Sequence, residues 1–151
     1  MHGSISLPGS KSITNRVLLM AALSNGQTTI NNYLESDDTS HMIAALKTLG
    51  VIFKRTENSL IVEGVNHKFP APEAKLFLGN AGTAFRPLTA VLSMMGGHYE
   101  ISGIARMHER PIKDLVNALE QIGAKISYLG ASGFPPIKIS PSNIAYKSPI
   151  K

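Results

Sequence analysis

No cysteine occurs among the 151 residues, which excludes disulfide scaffolds, thiolate metal sites and cysteine nucleophiles. That absence fits a cytoplasmic protein, the location expected here. Tryptophan is also missing and aromatic residues make up only 6%, so few platforms exist for stacking single-stranded nucleic acid. Long apolar runs are lacking. The longest, Val17 to Leu23, spans seven residues, far short of the ~20 a membrane helix needs. No basic-then-apolar leader precedes it, so neither a secretory signal nor a membrane attachment is expected. Acidic residues are few, 10 against 15 Lys and Arg, giving a net charge of +5 and a pI near 9.6. Such an excess points to an anionic partner, either nucleic acid or a small phosphorylated molecule. What is present suffices for a core: 43% of residues are apolar, 17% are charged and the mean hydropathy is +0.05. The composition excludes a disordered chain, and the length is that of about one domain.

The chain repeats itself at an offset of seventy, which sets Gly9 over Gly79, Arg16 over Arg86, Leu18 over Leu88 and Gly26 over Gly96. With three residues inserted, Ala45 falls on Ala118, Leu46 on Leu119 and Gly50 on Gly123. Each copy reads as a Gly-rich turn, apolar helix, glycine, strand, amphipathic helix, glycine and strand pair. In the first copy, Ser4 to Leu7 alternates like a strand and stops at Pro8-Gly9. A helix is expected from about Ser12 to Leu23, a strand from Thr28 to Tyr33, and a helix capped by Ser36 and closed by Gly50. Val51 to Arg55 and Leu60 to Glu63 read as a hairpin.

In the second copy, Lys75 to Leu78 is the strand before Gly79-Asn80-Ala81-Gly82. Pro87 predicts that the next helix starts late or bends near Arg86. His98 to Ser102 is a strand, and Pro111 suits the first position of a helix ended by Gly123. Strands at Ala124 to Leu129 and Pro136 to Ile139 close the copy, and Ile144-Ala145-Tyr146 is strand-like. The two opening helices, apolar around most of their circumference, are expected side by side in the core with four-strand sets outside them.

Three segments carry chemistry. Pro8-Gly9-Ser10-Lys11-Ser12 feeds a helix N-terminus and adds Arg16 one turn on. Free backbone N–H groups and the helix dipole favour an anion there. Lys11 adds a point charge, Ser12 a hydroxyl and Arg16 a planar fork. An ordinary capped helix with solvated cations reads equally well. A nucleotide P-loop does not, since Ser10 separates Gly9 from Lys11. Gly79-Asn80-Ala81-Gly82 occupies the same place in the second copy, and its glycines permit close backbone approach. Arg106-Met107-His108-Glu109-Arg110-Pro111 places two arginines before a helix: one is available for an anion, while Arg110 and Glu109 read as a local pair. Capping accounts for Ser36-Asp37-Asp38, and the histidines show no metal-ligand spacing.

Leu7 to Ser12 with Asn15-Arg16, Leu76 to Ala84 with Arg86-Pro87, and Arg106-Met107 with Glu109-Arg110-Pro111 together resemble the 5-enolpyruvylshikimate-3-phosphate synthase family. UDP-N-acetylglucosamine enolpyruvyl transferase is a poorer match at the first motif. The resemblance implies the mixed α/β (α+β) enolpyruvyl transferase fold, an inside-out barrel of two halves, each of three βαβαββ units. Two units of one half would be present: residues 4–64, residues 74–140, and the start of a third at 141–151. It implies transfer of the enolpyruvyl group of phosphoenolpyruvate to the 5-hydroxyl of shikimate 3-phosphate, in chorismate biosynthesis, with no cofactor and no metal.

By motif, Lys11 would touch both substrates and Ser12 and Arg16 would hold shikimate 3-phosphate. Asn80, Gly82 and Arg106 would line the phosphoenolpyruvate site, with Lys11 and Arg106 acting in catalysis. Thr14, Phe85 and His108 stand where the family more often has Ser, Met and Lys. The resemblance covers about the first third of the family's length, so the chain reads as a truncated piece. Its partner would be the remainder of the synthase, and the piece alone would be inactive. The alternative is a noncatalytic binding domain for phosphorylated ligands or nucleic acid, which steep salt dependence would reveal.

Overall fold

The structure is a computed structural model and describes residues 8–57 and 59–145. Its first part runs α1 (Lys11–Leu23), β1 (Asn25–Asn31), α2 (Asp37–Thr48), β2 (Ile52–Arg55) and β3 (Ser59–Val65). The second runs β4 (Glu73–Phe77), α3 (Gly82–Ser93), β5 (His98–Ser102), the single turn α4 (Ala105–His108), α5 (Lys113–Gln121), β6 (Lys125–Tyr128) and β7 (Ile137–Ser140).

Two sheets form. The first has the order β1-β3-β2, all antiparallel; the second has β4-β5-β7-β6, with β4 and β5 parallel and the rest antiparallel. Alternation sets the buried face of each strand. In the second sheet Leu76, Ile101 and Ile137 stand in register, as do Tyr99, Ile139 and Ile126. In the first, Val62 pairs with Thr28 and Leu60 with Ile30. The first sheet lies against α1, the second against α3, and α1 packs on α3. These two helices are the shared middle layer, joined by α2, in one continuous apolar core.

Local chemistry explains the ends of several elements. Ser36 Oγ accepts from Thr39 N while Thr39 Oγ1 accepts from Ser36 N, a reciprocal cap for α2. Asp37 and Asp38 lie in its first turn, where carboxylates favour the positive dipole end. Gly50 at φ +95° and Gly123 at φ +102° turn the chain after α2 and α5 as only glycine does readily. The β2–β3 hairpin closes through Thr56, whose N and Oγ1 both donate to Ser59 O.

Several expectations change. β1 begins at Asn25 rather than Thr28 and ends before Tyr33, because it pairs with β3 along its length, from Asn25–Val65 to Asn31–Ser59. The chain leaves the strand at Asn32, where φ is +51°. α3 does not start late: it begins at Gly82 and continues through Pro87. A proline inside a helix costs ~3 kcal/mol. The turn before it buries Ala84 completely and Phe85 to 1% exposure, and one such aromatic contributes ~1.5–3 kcal/mol of the same size. Pro111 is not the first residue of α5, which begins at Lys113 with Ile112 as its cap. Ile112 N instead donates to Gly133 O, which holds that residue outside the helix.

α1 is more open than its composition suggests, with Ile13 60% and Met20 66% exposed while Leu18 and Ala22 are fully buried. The first sheet has three strands among the described residues. The expected strand at Ser4 to Leu7 lies outside them, as does Tyr146. Ile144 and Ala145 form no strand; Ala145 N donates to Ile122 O alone. No described helix is long and apolar enough to cross a membrane.

Candidate functional site: two helix N-termini side by side

The first turn is built on Gly9, where a Cβ would lie 2.5 Å from Asn32 O, so only glycine lets the chain pass there. Ser10 caps α1 with a long bond from Ile13 N, 3.5 Å. Lys11 opens the helix and its Nζ lies 3.3 Å from Asp38 Oδ2 of α2. Asp38 therefore does more than favour the dipole end of α2: it also pairs with a cation 27 residues away in sequence. Ser12 is half-buried, and Arg16 is exposed with no hydrogen-bond or ion-pair partner among the described residues. Thr14 Oγ1 accepts from Leu34 N at 3.1 Å and pins the helix start to the segment after β1.

The second turn follows β4. Gly79 has φ +53°, and a Cβ on it would meet the His41 ring at 2.3 Å. Ala81 stands at the cap of α3 and offers no side-chain bond, so the first N–H groups of this helix have no side-chain acceptor. Asn80 is exposed. Its carbonyl accepts from Gly82 N at 3.0 Å and from Arg110 Nη1 at 2.9 Å. Gly82 is buried under the same guanidinium: a Cβ there would lie 2.5 Å from Arg110 Nη2.

One hydrogen bond joins the turns. Asn15, fully buried in α1, donates from Nδ2 to Thr83 Oγ1 in α3 at 2.8 Å. Its Oδ1 is buried without a partner. Two helix starts of like polarity are therefore fixed next to each other, each with its own cation or amide.

The third segment docks on the second turn. Ile104 N donates to Gly79 O at 3.0 Å, and Gly103 approaches that carbonyl so closely that a Cβ would lie 2.2 Å from it. His108 Nε2 accepts from Gly103 N at 3.4 Å. Glu109 pairs with Arg106, not with Arg110 as the spacing suggested. Residues i and i+3 on a helical turn face each other, whereas neighbours diverge. Arg110 reaches Asn80 instead. Arg86 Nη2 donates to Pro111 O at 3.0 Å, a second tie between this segment and α3.

Lys11 opens the first helix beside Asp38, Arg110 lies on the second turn, Arg86 ties α3 to Pro111, and Arg16 and Arg106 are exposed cations of α1 and of the segment docked on the second turn. Such a surface can bind phosphate or carboxylate groups through cations and backbone N–H together. Away from it, clefts of about 220 and 300 Å³ open at the β4–β5 side of the second sheet, where Lys75 and Glu100 neutralise each other at 3.1 Å. No group of three His, Asp or Glu side chains among the described residues is placed to hold a metal ion.

Comparison with known proteins agrees with the motif resemblance. The profile of the family EPSP synthase (3-phosphoshikimate 1-carboxyvinyltransferase) matches residues 1–150. A 3-phosphoshikimate 1-carboxyvinyltransferase of Nitrosomonas eutropha is 62% identical over 143 residues, covering 94% of this chain and 33% of that protein. Its counterpart in Cupriavidus taiwanensis is 55% identical over 149 residues, covering 99% and 34%. Among solved structures, EPSP synthase from Acinetobacter baumannii superposes with a TM-score of 0.87 at 28% identity, covering 94% of this chain and 33% of that one. The chain spans about a third of the length of these relatives. On sequence and on fold alike, it belongs to the EPSP synthase family.

Proposed function

We propose that this chain forms one wall of an enolpyruvyl transferase site, in a cytoplasmic protein of chorismate biosynthesis. The reaction joins the enolpyruvyl group of phosphoenolpyruvate to the 5-hydroxyl of shikimate 3-phosphate and releases phosphate. Ser12 and Arg16 hold shikimate 3-phosphate. Asn80, Gly82 and Arg106 line the phosphoenolpyruvate site, and Lys11 lies between the two. The observation that supports this reading is the Asn15–Thr83 bond, which sets two anion-favouring helix starts side by side. Two polyanionic substrates can then share one surface.

Arg106 is engaged by Glu109 at the surface, but a pair this exposed is worth ~0–1 kcal/mol. An arriving carboxylate or phosphate displaces Glu109 at small cost. Lys11 is likewise held by Asp38 at 3.3 Å with half of its side chain exposed. The matching strand paths, β1-β3-β2 and β5-β7-β6, support reading residues 4–64 and 74–140 as two repeated units; residues 141–151 are read, from the motif resemblance alone, as the start of a third.

A single wall leaves its cations open to water, which screens them, and positions no group on the far side of the reacting carbon. The purified chain is therefore expected to bind shikimate 3-phosphate weakly, moving the amide signals of Ser12 and Arg16, and to release no phosphate with both substrates. Turnover should appear on adding the remaining two thirds of a relative in trans. Turnover by the chain alone near that of an intact synthase would refute the one-wall reading. Binding that ignores shikimate 3-phosphate and falls steeply with salt would favour a nucleic-acid module instead.

A further inference from the structure

We propose that Arg110 is a positioning residue: it locks the Asn80–Gly82 turn and fixes which end of the Asn80 carboxamide is offered to an anion. Arg110 is half-buried and has no carboxylate partner among the described residues, since Glu109 is taken by Arg106. Its Nη1 donates to Asn80 O at 2.9 Å and lies 3.4 Å from Asn80 Oδ1. A guanidinium has donors only, so the carboxamide must turn its oxygen toward Arg110. The amide NH₂ is then left for the ligand. An asparagine free to flip presents its oxygen part of the time, and an oxygen repels an anion.

The main-chain bond acts on the same turn. Asn80 O also accepts from Gly82 N, so one cation anchors the carbonyl around which the turn closes. Gly82 makes this possible. The guanidinium occupies the space a side chain would take, 2.5 Å from the position of a Cβ. A methyl group at residue 82 would push Arg110 off Asn80. Arg86 reinforces the clamp from the other direction through Pro111 O. The segment after α4 and the start of α3 thus hold each other by two arginines of opposite origin.

The inference rests on the reading of this turn as a phosphoenolpyruvate subsite, and the two separate in one experiment. The probes are the Asn80 side-chain NH₂ signals and the Gly82 amide exchange rate in the ¹⁵N-labelled 151-residue chain, followed by titration with phosphoenolpyruvate. Hydrogen bonds to charged groups are among the stronger ones, so Arg110→Gln should speed Gly82 exchange at least about tenfold and shift both Asn80 NH₂ signals toward those of a solvated carboxamide. Arg110→Lys should restore part of both. Gly82→Ala should reproduce the Arg110→Gln effect in the parent chain and add little in the Arg110→Gln background. Phosphoenolpyruvate affinity should fall about tenfold in Arg110→Gln, as loss of one such contact implies, with shikimate 3-phosphate binding unchanged. The methyl signals of Leu78 and Ile101 verify folding; if Arg110→Gln unfolds, Arg110→Lys and Gly82→Ala carry the comparison.

Unchanged Asn80 and Gly82 signals in a folded Arg110 variant would overturn the proposal. So would additive effects of Gly82→Ala and Arg110→Gln. If Arg110→Gln moves those signals but the parent chain ignores phosphoenolpyruvate, the positioning role stands and the subsite reading fails.

Discussion

Asn15 shows how a single buried amide can order a site. It is fully buried and spends its Nδ2 on Thr83 while its Oδ1 has no partner. Removing the acceptor leaves a second polar group stranded, at a cost of ~1–3 kcal/mol. Thr83→Val is expected to destabilise the chain by that amount. Combining it with Asn15→Leu should cost less than the sum of the two single changes, because no buried donor is then left unpaired. Urea unfolding of the four proteins in the cycle measures it.

Tyr99 is a second residue whose surroundings dictate behaviour. Burial pushes its hydroxyl pKa above the ordinary value of 10.0, and the group donates to Ala71 O at 3.2 Å. The unfolded chain releases this proton near pH 10 whereas the folded one retains it to higher pH. Stability from this group is therefore complete below pH 10 and lost as the pH rises through the folded value. Tyr128 shifts in the same direction, through burial and the charge of Glu120. Lysines titrate in the same range, so the informative quantity is a difference. Tyr99→Phe should lose ~1 kcal/mol at neutral pH and show a shallower alkaline decline in denaturation midpoint than the parent.

At the scale of elements, the one-turn helix α4 is held by close backbone approach as well as by its buried Met107. Gly103 brings the chain so close to Gly79 O that an added Cβ would lie 2.2 Å away. Backbone cannot step aside as a flexible side chain can. Gly103→Ala should cost at least the ~1–3 kcal/mol typical of overpacking and move the amide signals of Gly79 and Ile104. A thermal midpoint equal to that of the parent would show that α4 docks otherwise.

The elements also differ in how far they could be read from sequence. α2 carries its own instructions, with Ser36 at one end and Gly50 at the other. β5 alternates cleanly and occupies the expected His98–Ser102. Where the deciding force is remote, local reading falls short. α3 tolerates Pro87 because Phe85 is buried, and β1 takes its ends from β3. The two turns of the site were legible as glycine-rich helix starts with cations. Their partners were not: Asp38 lies 27 residues from Lys11 and Arg110 lies 30 from Asn80, distances at which spacing carries no geometric information.

For the molecule as a whole, an excess of five positive charges and a cation-bordered surface couple stability to anions. A ligand bound only by the folded state stabilises it by mass action, ~2.7 kcal/mol at a hundred times Kd. Phosphate should therefore raise the thermal midpoint above that in chloride at equal ionic strength. Part of that rise comes from general exclusion of phosphate from protein surfaces. Arg16→Gln removes one unpartnered cation while leaving the rest of the surface unchanged. It should lose the site-specific share, and an identical phosphate response in this variant would show that no phosphate is held there.

The pairing of β1 with β3 also bears on how the chain comes to be folded. β2 and β3 meet across a turn of three residues, yet β1 joins β3 in a register that sets Asn25 beside Val65, forty residues away. β4 and β5 run parallel, Glu73 beside His98, with α3 crossing between them. Closing such distances must be compensated by contacts that exist only afterwards, so speed follows the span. The hairpin should form first and the crossovers last. In pulse-labelled refolding, amides of β2 and β3 that face each other should gain protection before those of β1 and β4. During that interval α1 has half of its layer and waits for the other.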